Sequence, residues 1–242
     1  MSKNTKKNKL WKILTLLVIV VSVGAIVFYY RTNIKEWLVN ISKPISYTLE
    51  TIPEYTDQSY VYIDDNKPNF NEADKTTKSF ELYSNLDGLG RCGVAIANIS
   101  IDLMPTEDRE SMGMIKPSGW HTIKYDIVPG KYLYNRCHLI GYQLTGENAN
   151  EKNLITCTKS MNSKGMIKFE NDVAEYIQST NNHVLYRVTP IFKDNNLLAS
   201  GVQMEAYSIE DNGNGISFNV YVYNVQDGIE IDYSNGNSKL FE

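Results

Sequence analysis

The sequence predicts an α+β domain, a central antiparallel sheet flanked by few helices, preceded by one N-terminal transmembrane helix. Three observations carry that expectation. The C-terminal third alternates apolar with polar residues between strong turn signals, as half-buried strands do. One long stretch, Lys159 to Gln178, sets Met161, Met166, Phe169, Val173, Tyr176 and Ile177 at helical spacing. The run from Ile13 to Tyr30 holds no charged residue and is rich in Leu, Val and Ile.

At about 1.5 Å of rise per residue, that apolar run and its flanks nearly span a hydrocarbon core about 30 Å thick. Lys3, Lys6, Lys7, Lys9 and Lys12 precede it with no acidic residue. The positive-inside bias then keeps the N-terminus in the cytoplasm and sends the remainder outward. A cleaved signal peptide is the competing reading. Its apolar core is shorter, about 7–15 residues, and Val27-Phe28-Tyr29-Tyr30-Arg31 makes a poor cleavage site. The expected division is a basic tail over 1–9, an anchor over 10–30, a juxtamembrane linker over 31–55 and one folded domain over 56–242. Within the linker, Asn33 to Ile41 reads as a short helix ended by Ser42-Lys43-Pro44.

Tyr60-Val61-Tyr62-Ile63 reads as a first strand, and Asp64-Asp65-Asn66-Lys67-Pro68 as its turn. Ser79 to Tyr83 alternates, Asp87-Gly88-Leu89-Gly90 turns, and Gly93 to Ser100 reads as a buried strand. Residues 104–119 are rich in Pro, Gly, Ser and charge and form a long loop of the kind that carries function. Tyr132-Leu133-Tyr134 leads into Asn135-Arg136-Cys137-His138, and Leu154-Ile155-Thr156 is short and extended. Val184 to Thr189, Val202 to Ile209 and Ile216 to Val225 complete an antiparallel set, with turns at Asp194-Asn195-Asn196 and Asn212-Gly213-Asn214-Gly215.

Charge excludes one class of function. Residues 1–35 hold seven of the 24 Lys and Arg and none of the 28 Asp and Glu, which leaves residues 36–242 with a formal net charge of −11. A domain so acidic does not coat nucleic acid through a broad basic surface. It remains compatible with a grip on one phosphate by a few arginines. The three cysteines, Cys92, Cys137 and Cys157, form no Cys-x-x-Cys pair, which argues against structural zinc. An outward-facing domain can oxidise two of them and leaves at least one unpaired within the chain. For Cys137 a small buried side chain is the simpler reading than a catalytic thiol.

Three histidines are present. His183 follows Asn181-Asn182 and reads as a turn residue, and His121 follows Gly119-Trp120, where packing or a backbone hydrogen bond suffices. His138 differs because Arg136 stands two positions before it, with Asn162 and Glu170 ahead. Hydrolysis of a phosphodiester with one hard metal needs these parts: a base for the water, a cation for the phosphate, and oxygen donors for the metal.

Asn135-Arg136-Cys137-His138 resembles the Asp-Arg-Gly-His signature of the DNA/RNA non-specific endonucleases, which have the ββα-metal fold. The likeness continues through Leu139-Ile140-Gly141-Tyr142, Asn153-Leu154-Ile155-Thr156 and Met161-Asn162. Lys116-Pro117-Ser118-Gly119-Trp120-His121 upstream and Asn219 to Gln226 downstream are also similar, so it covers roughly residues 75–235. Within the family, the chain looks most like membrane-attached DNA-entry nucleases. The resemblance implies a cell-membrane protein with its catalytic domain outside, cutting DNA or RNA with little sequence preference and leaving 5′-phosphate and 3′-hydroxyl ends. It implies His138 as general base, Asn162 as the direct protein ligand of one Mg²⁺, with Mn²⁺ as a substitute, and Glu170 as a carboxylate holding the water shell of that ion. Arg136 and Arg109 match two arginines that contact phosphate. DNA-uptake proteins are the implied partners.

Two departures stand out: Asn135 replaces the signature's Asp and Cys137 its Gly. Asn keeps hydrogen bonds but loses the charge, and without a neighbouring carboxylate a histidine is more readily neutral. Each site residue also has a plainer reading: a structural ion pair for Arg136, a surface charge for Arg109, a solvated helix face for Glu170. On an unbroken helix, Glu170 lies about 12 Å along and about 80° around from Asn162, so a water-mediated role or a local break near Gly165 is expected. The competing functions are a catalytically degenerate surface module that binds nucleic acid on the same fold, and a hydrolase using Cys137 with His138. The latter is disfavoured because adjacent strand residues point to opposite faces.

Overall fold

Alternation along the chain becomes a six-stranded antiparallel sheet in the computed structural model, which describes Ser22, residues 52–109 and residues 111–241. In chain order the strands are β1 (Tyr60–Tyr62), β2 (Phe80–Tyr83), β3 (Ala95–Ile99), β4 (Tyr134–His138), β5 (Leu154–Thr158), β6 (Val184–Ile191), β7 (Gly201–Ser208), β8 (Ser217–Tyr223), β9 (Ile229–Ile231) and β10 (Ser238–Leu240). The helices are α1 (Tyr142–Thr145) and α2 (Ile167–Thr180). The main sheet runs β1-β8-β7-β6-β3-β2, while β4-β5 and β9-β10 form separate pairs. Apart from Ser22, the predicted anchor and the helix over 33–41 fall outside the described residues. Among the described residues no helix is long and apolar enough to cross a membrane.

One sheet face is apolar and receives the long helix. Val184, Tyr186 and Val188 of β6, Val202, Met204 and Ala206 of β7, and Val220 and Val222 of β8 share one core with Phe169, Val173, Ala174 and Ile177 of α2. Those helix positions lie on one stripe, which is why the segment is amphipathic. Phe169 anchors the contact, with ring centroids 4.9 Å from Phe218 and 4.8 Å from Tyr60. Burial of such aromatic side chains contributes about 1.5–3 kcal/mol each. Asn181 ends α2 in the left-handed conformation, and its N–H donates to Ile177 O at 2.8 Å.

The opposite face is more polar and is covered by the segment after β1. Arg187 pairs with the buried Glu205 at 2.7 Å, Asn69 N–H donates to the same carboxylate at 2.9 Å, and Gln203 donates to Asn219 at 2.9 Å. Tyr55, which the sequence places in the linker, packs edge-on against Tyr223 and donates its hydroxyl to Asp227 at 2.7 Å.

Helix formation starts with a local break. Residues Met161–Met166 form a π-helical turn before α2 begins, and such turns recur where a helix must present an extra residue. Gly165 sits inside it. A Cβ there would lie within 2.4 Å of Val222 Cγ1, so only glycine lets this turn press onto β8. The sequence expectation of a break near Gly165 therefore holds.

Candidate active site

The β4-β5 hairpin carries the Asn-Arg-Cys-His run and hands the chain to the π turn. Alternation along β4 turns Cys137 into the core and leaves Arg136 and His138 on the other face. Cys137 and Cys157 are joined as a disulfide across the hairpin, with Cα atoms 5.8 Å apart. Cys137 is thus buried as expected but bonded, which excludes it as a nucleophile. Cys92 is the remaining thiol; it is buried, donates to the Leu154 carbonyl at 3.2 Å and is pushed up to about 12 by burial. Closing a 20-residue separation stabilises by about 3 kcal/mol on the chain-entropy account. Dithiothreitol is therefore expected to lower the melting temperature, and an unchanged melting curve would count against the bridge.

Distant amides hold the hairpin and the helix start in place. Asn224 accepts from Thr158 N–H at 2.8 Å and donates to the carbonyls of Ala199 and Thr156 at 2.9 and 3.2 Å. Gln226 accepts from Ser160 N–H at 3.0 Å, and Thr158 Oγ1 accepts from Met161 N–H at 3.0 Å. Asn153 accepts from Ile140 N–H at 2.9 Å and donates to Ile140 O at 3.0 Å, which fixes the backbone just after His138. All these bonds are buried, where a lost partner costs about 1–3 kcal/mol.

A cavity of about 390 Å³ brings together His138, Arg109, Asn162 and Glu170, along with Gly141, Tyr142 and Gln143. His138 is 6% exposed, and its Nε2 donates to the Asn148 carbonyl at 2.8 Å. Its Nδ1 lies 3.4 Å from Arg109 Nη2. A carbonyl only accepts and a guanidinium only donates, so the neutral ring carries its proton on Nε2 and a lone pair on Nδ1. Burial is the main cause that lowers its pKa to about 4, and the Arg109 charge adds to it, against the Asn148 and Glu147 carbonyls. The imidazole is therefore an available base at neutral pH.

Glu170 is buried beside the apolar stripe rather than on a solvated face. Desolvation raises its pKa to about 7, opposed by Arg109. Gly141 makes room for it, since a Cβ at that position would lie 2.8 Å from Glu170 Oε2. Neither the Glu170 nor the Asn162 side chain has a hydrogen-bond partner among the described residues. A desolvated carboxylate and a free amide oxygen on one cavity suit a hard cation that keeps part of its water shell. Among the described residues no three His, Cys, Asp or Glu side chains cluster as a metal cage, so a cation here relies on this oxygen pair and water.

Arg136 stands apart from that cavity. Its Nε donates to Ile115 O, its Nη2 donates to Gly113 O at 3.0 Å, and its guanidinium stacks 4.0 Å from the Trp120 ring centroid. It lines an adjoining groove with Trp120 and Asn135, and it forms no ion pair among the described residues. Arg109, by contrast, comes from the long loop to stand beside His138. The other histidines keep structural roles: His121 Nε2 donates to Asn235 O at 3.0 Å, and His183 Nδ1 meets Glu210 at 2.6 Å. Sequence reasoning missed Gly141, Asn148 and Asn224. Only the resemblance around Gly141 and the tail held any trace of them.

A hairpin ending in a neutral buried histidine, followed by a helix presenting an amide and a carboxylate, defines a ββα nuclease arrangement. The family model for DNA/RNA non-specific endonucleases matches residues 70–210, and the chain belongs to that family. Its fold is similar to that of NucA from Streptococcus agalactiae, in a crystal structure with magnesium ion bound, at TM-score 0.69 and 24% identity over 80% of this chain and 93% of that one. The metal-free form of NucA gives 0.67 and 26% over 80% and 92%. Sda1 nuclease with bound zinc ion gives 0.59 and 28% over 76% and 96%.

Proposed function

We propose that this chain is a membrane-anchored, outward-facing endonuclease that hydrolyses phosphodiester bonds of DNA or RNA with little sequence preference, using one divalent cation. The observation that carries this reading is the shared cavity: a histidine with its lone pair directed inward, beside an arginine, an amide oxygen and a carboxylate without partners. Once Arg109 turns from His138 Nδ1 toward the phosphate, Nδ1 takes the proton of a water aligned opposite the scissile P–O bond, while Nε2 stays hydrogen-bonded to Asn148 and keeps the ring in place. As the water oxygen bonds to phosphorus, the bond to the 3′ oxygen breaks and that oxygen leaves to be protonated. Arg109 faces the negative charge that builds on the phosphate. Asn162 would hold the ion directly and Glu170 would hold its water. When bound, Mg²⁺ supplies charge to the phosphate and the leaving oxygen. Oxygen donors favour Mg²⁺ or Mn²⁺ over softer metals. Similarity to NucA with magnesium ion bound and to Sda1 nuclease with bound zinc ion supports a divalent ion.

The uncharged run from Ile13 to Tyr30, preceded by five lysines, supports the anchor. A disulfide in the folded domain supports an oxidising, outward location. Incubation of plasmid, single-stranded DNA and RNA with the purified protein in Mg²⁺ or EDTA tests the reading. Metal-dependent fragments that ligate without kinase treatment are expected, because their 5′ ends carry phosphate. Intact nucleic acid across pH 5–9 with Mg²⁺ or Mn²⁺ would overturn it in favour of a binding module.

Gly141→Ala gives a narrower check. Its φ of −58° is one that alanine adopts freely, so the effect is steric alone. The new methyl displaces the flexible end of Glu170, so stability changes little. A misplaced carboxylate is expected to lower cleavage by about 10²-fold. Unchanged cleavage would remove Glu170 from the mechanism.

A further inference from the structure

Beside the catalytic cavity lies a second groove of about 510 Å³, of which the proposed hydrolysis uses only Arg109 and Asn162. It shares Arg109 and Asn162 with the cavity, so a strand lying in one continues into the other. The rest of its lining includes Trp120, Tyr132, Asn135 and Arg136. Tyr132 is 49% exposed despite its size, and Lys124 Nζ sits over one face of its ring, 4.5 Å from the centroid.

We infer that this groove receives one unstacked nucleobase of a single strand, next to the scissile phosphate, with Tyr132 as its stacking surface; the inference rests on the nuclease reading. An exposed aromatic ring with a lysine over one face, in a groove that also holds Arg109, matches a base and its phosphate together. Bases within a duplex have their faces covered by neighbours, whereas a single strand offers them. Stacking tolerates any sequence because every base has a π face, which agrees with a family of low specificity. With residues 36–242 carrying a net −11, phosphate attraction alone gives a weak hold, and stacking supplies the remainder.

Fluorescence anisotropy in EDTA tests this on the full-length protein. The probes are a twelve-nucleotide oligothymidylate and a strand of equal length and charge made entirely of abasic residues. The wild-type protein is expected to bind the base-bearing strand about 5- to 150-fold more tightly. Tyr132→Ala brings that ratio close to one, and Tyr132→Trp preserves it. Equal binding of both strands by the wild type, or a ratio unchanged in Tyr132→Ala, overturns the inference. Neither result touches the nuclease reading, which depends on cleavage with metal.

Discussion

Replacing His138 with alanine is expected to lower phosphodiester cleavage by about 10²- to 10⁴-fold, the usual contribution of a positioned general base. Binding of nucleic acid and of metal should persist, since neither Asn162 nor Glu170 leans on the imidazole for a hydrogen bond. The pH profile adds a second readout. The imidazole binds a proton only as the pH falls toward about 4. With saturating metal, wild-type activity should therefore survive at pH values where an ordinary histidine is mostly charged. A fall in activity centred near the unperturbed value of about 6.5, also at saturating metal, would contradict the buried, carbonyl-held geometry.

Glu170→Gln is expected to do opposite things to stability and to function. The folded-state pKa of Glu170 is raised by burial to about 7. An acid whose pKa rises on folding favours the folded state most at low pH, and that advantage is lost as the pH climbs through the folded value. Below about pH 4 the carboxyl is protonated in both states, and the substitution changes little. Above pH 7 the wild type must keep an ionised carboxylate buried, which costs about 3 kcal/mol. The glutamine variant should thus melt higher than wild type at pH 8 and about equally at pH 4. Mg²⁺ should raise the wild-type melting temperature at pH 8 more than that of the variant, and the variant should lose cleavage. For the wild type, half-maximal activity should need more metal as the pH falls below 7, because protons compete for the same carboxylate. Equal melting temperatures of wild type and variant at both pH values would contradict the burial of an unpartnered Glu170.

Several parts of this arrangement are legible in the sequence because they rest on local periodicity. Val184 to Thr189, Val202 to Ile209 and Ile216 to Val225 alternate as strands must, and they become β6, β7 and β8 with only their ends shifted. The stripe of Phe169, Val173 and Ile177 gives α2. What depends on tertiary contact is less visible. The strand reading cannot say that β4 and β5 leave the main sheet to form their own hairpin. Four-residue α1 is too short for a period to emerge, and β9 and β10 lie in a polar tail rich in Asn and Asp. His138, Asn162 and Glu170 are found by residue type and resemblance. The bond from Nε2 to Asn148 O, which assigns the lone pair to Nδ1, runs to a backbone atom that any residue could supply. Arg109 sits in a loop without periodicity, and only folding sets it beside His138. Arg136 is the reverse case. Two positions before His138, it still ends with its guanidinium tied to the Ile115 and Gly113 carbonyls rather than in the cavity.

In the proposed mechanism one base and one oxygen-ligated cation share the work at a single cavity. Nicking of supercoiled plasmid, titrated with Mg²⁺ for wild type, His138→Ala and Asn162→Ala, tests it most directly. Metal-dependent nicking by the wild type, abolished by EDTA, is expected. His138→Ala should nick almost not at all at any metal concentration, and Asn162→Ala only at much higher Mg²⁺. Nicking by His138→Ala at the wild-type rate, or by the wild type in EDTA, would contradict this mechanism.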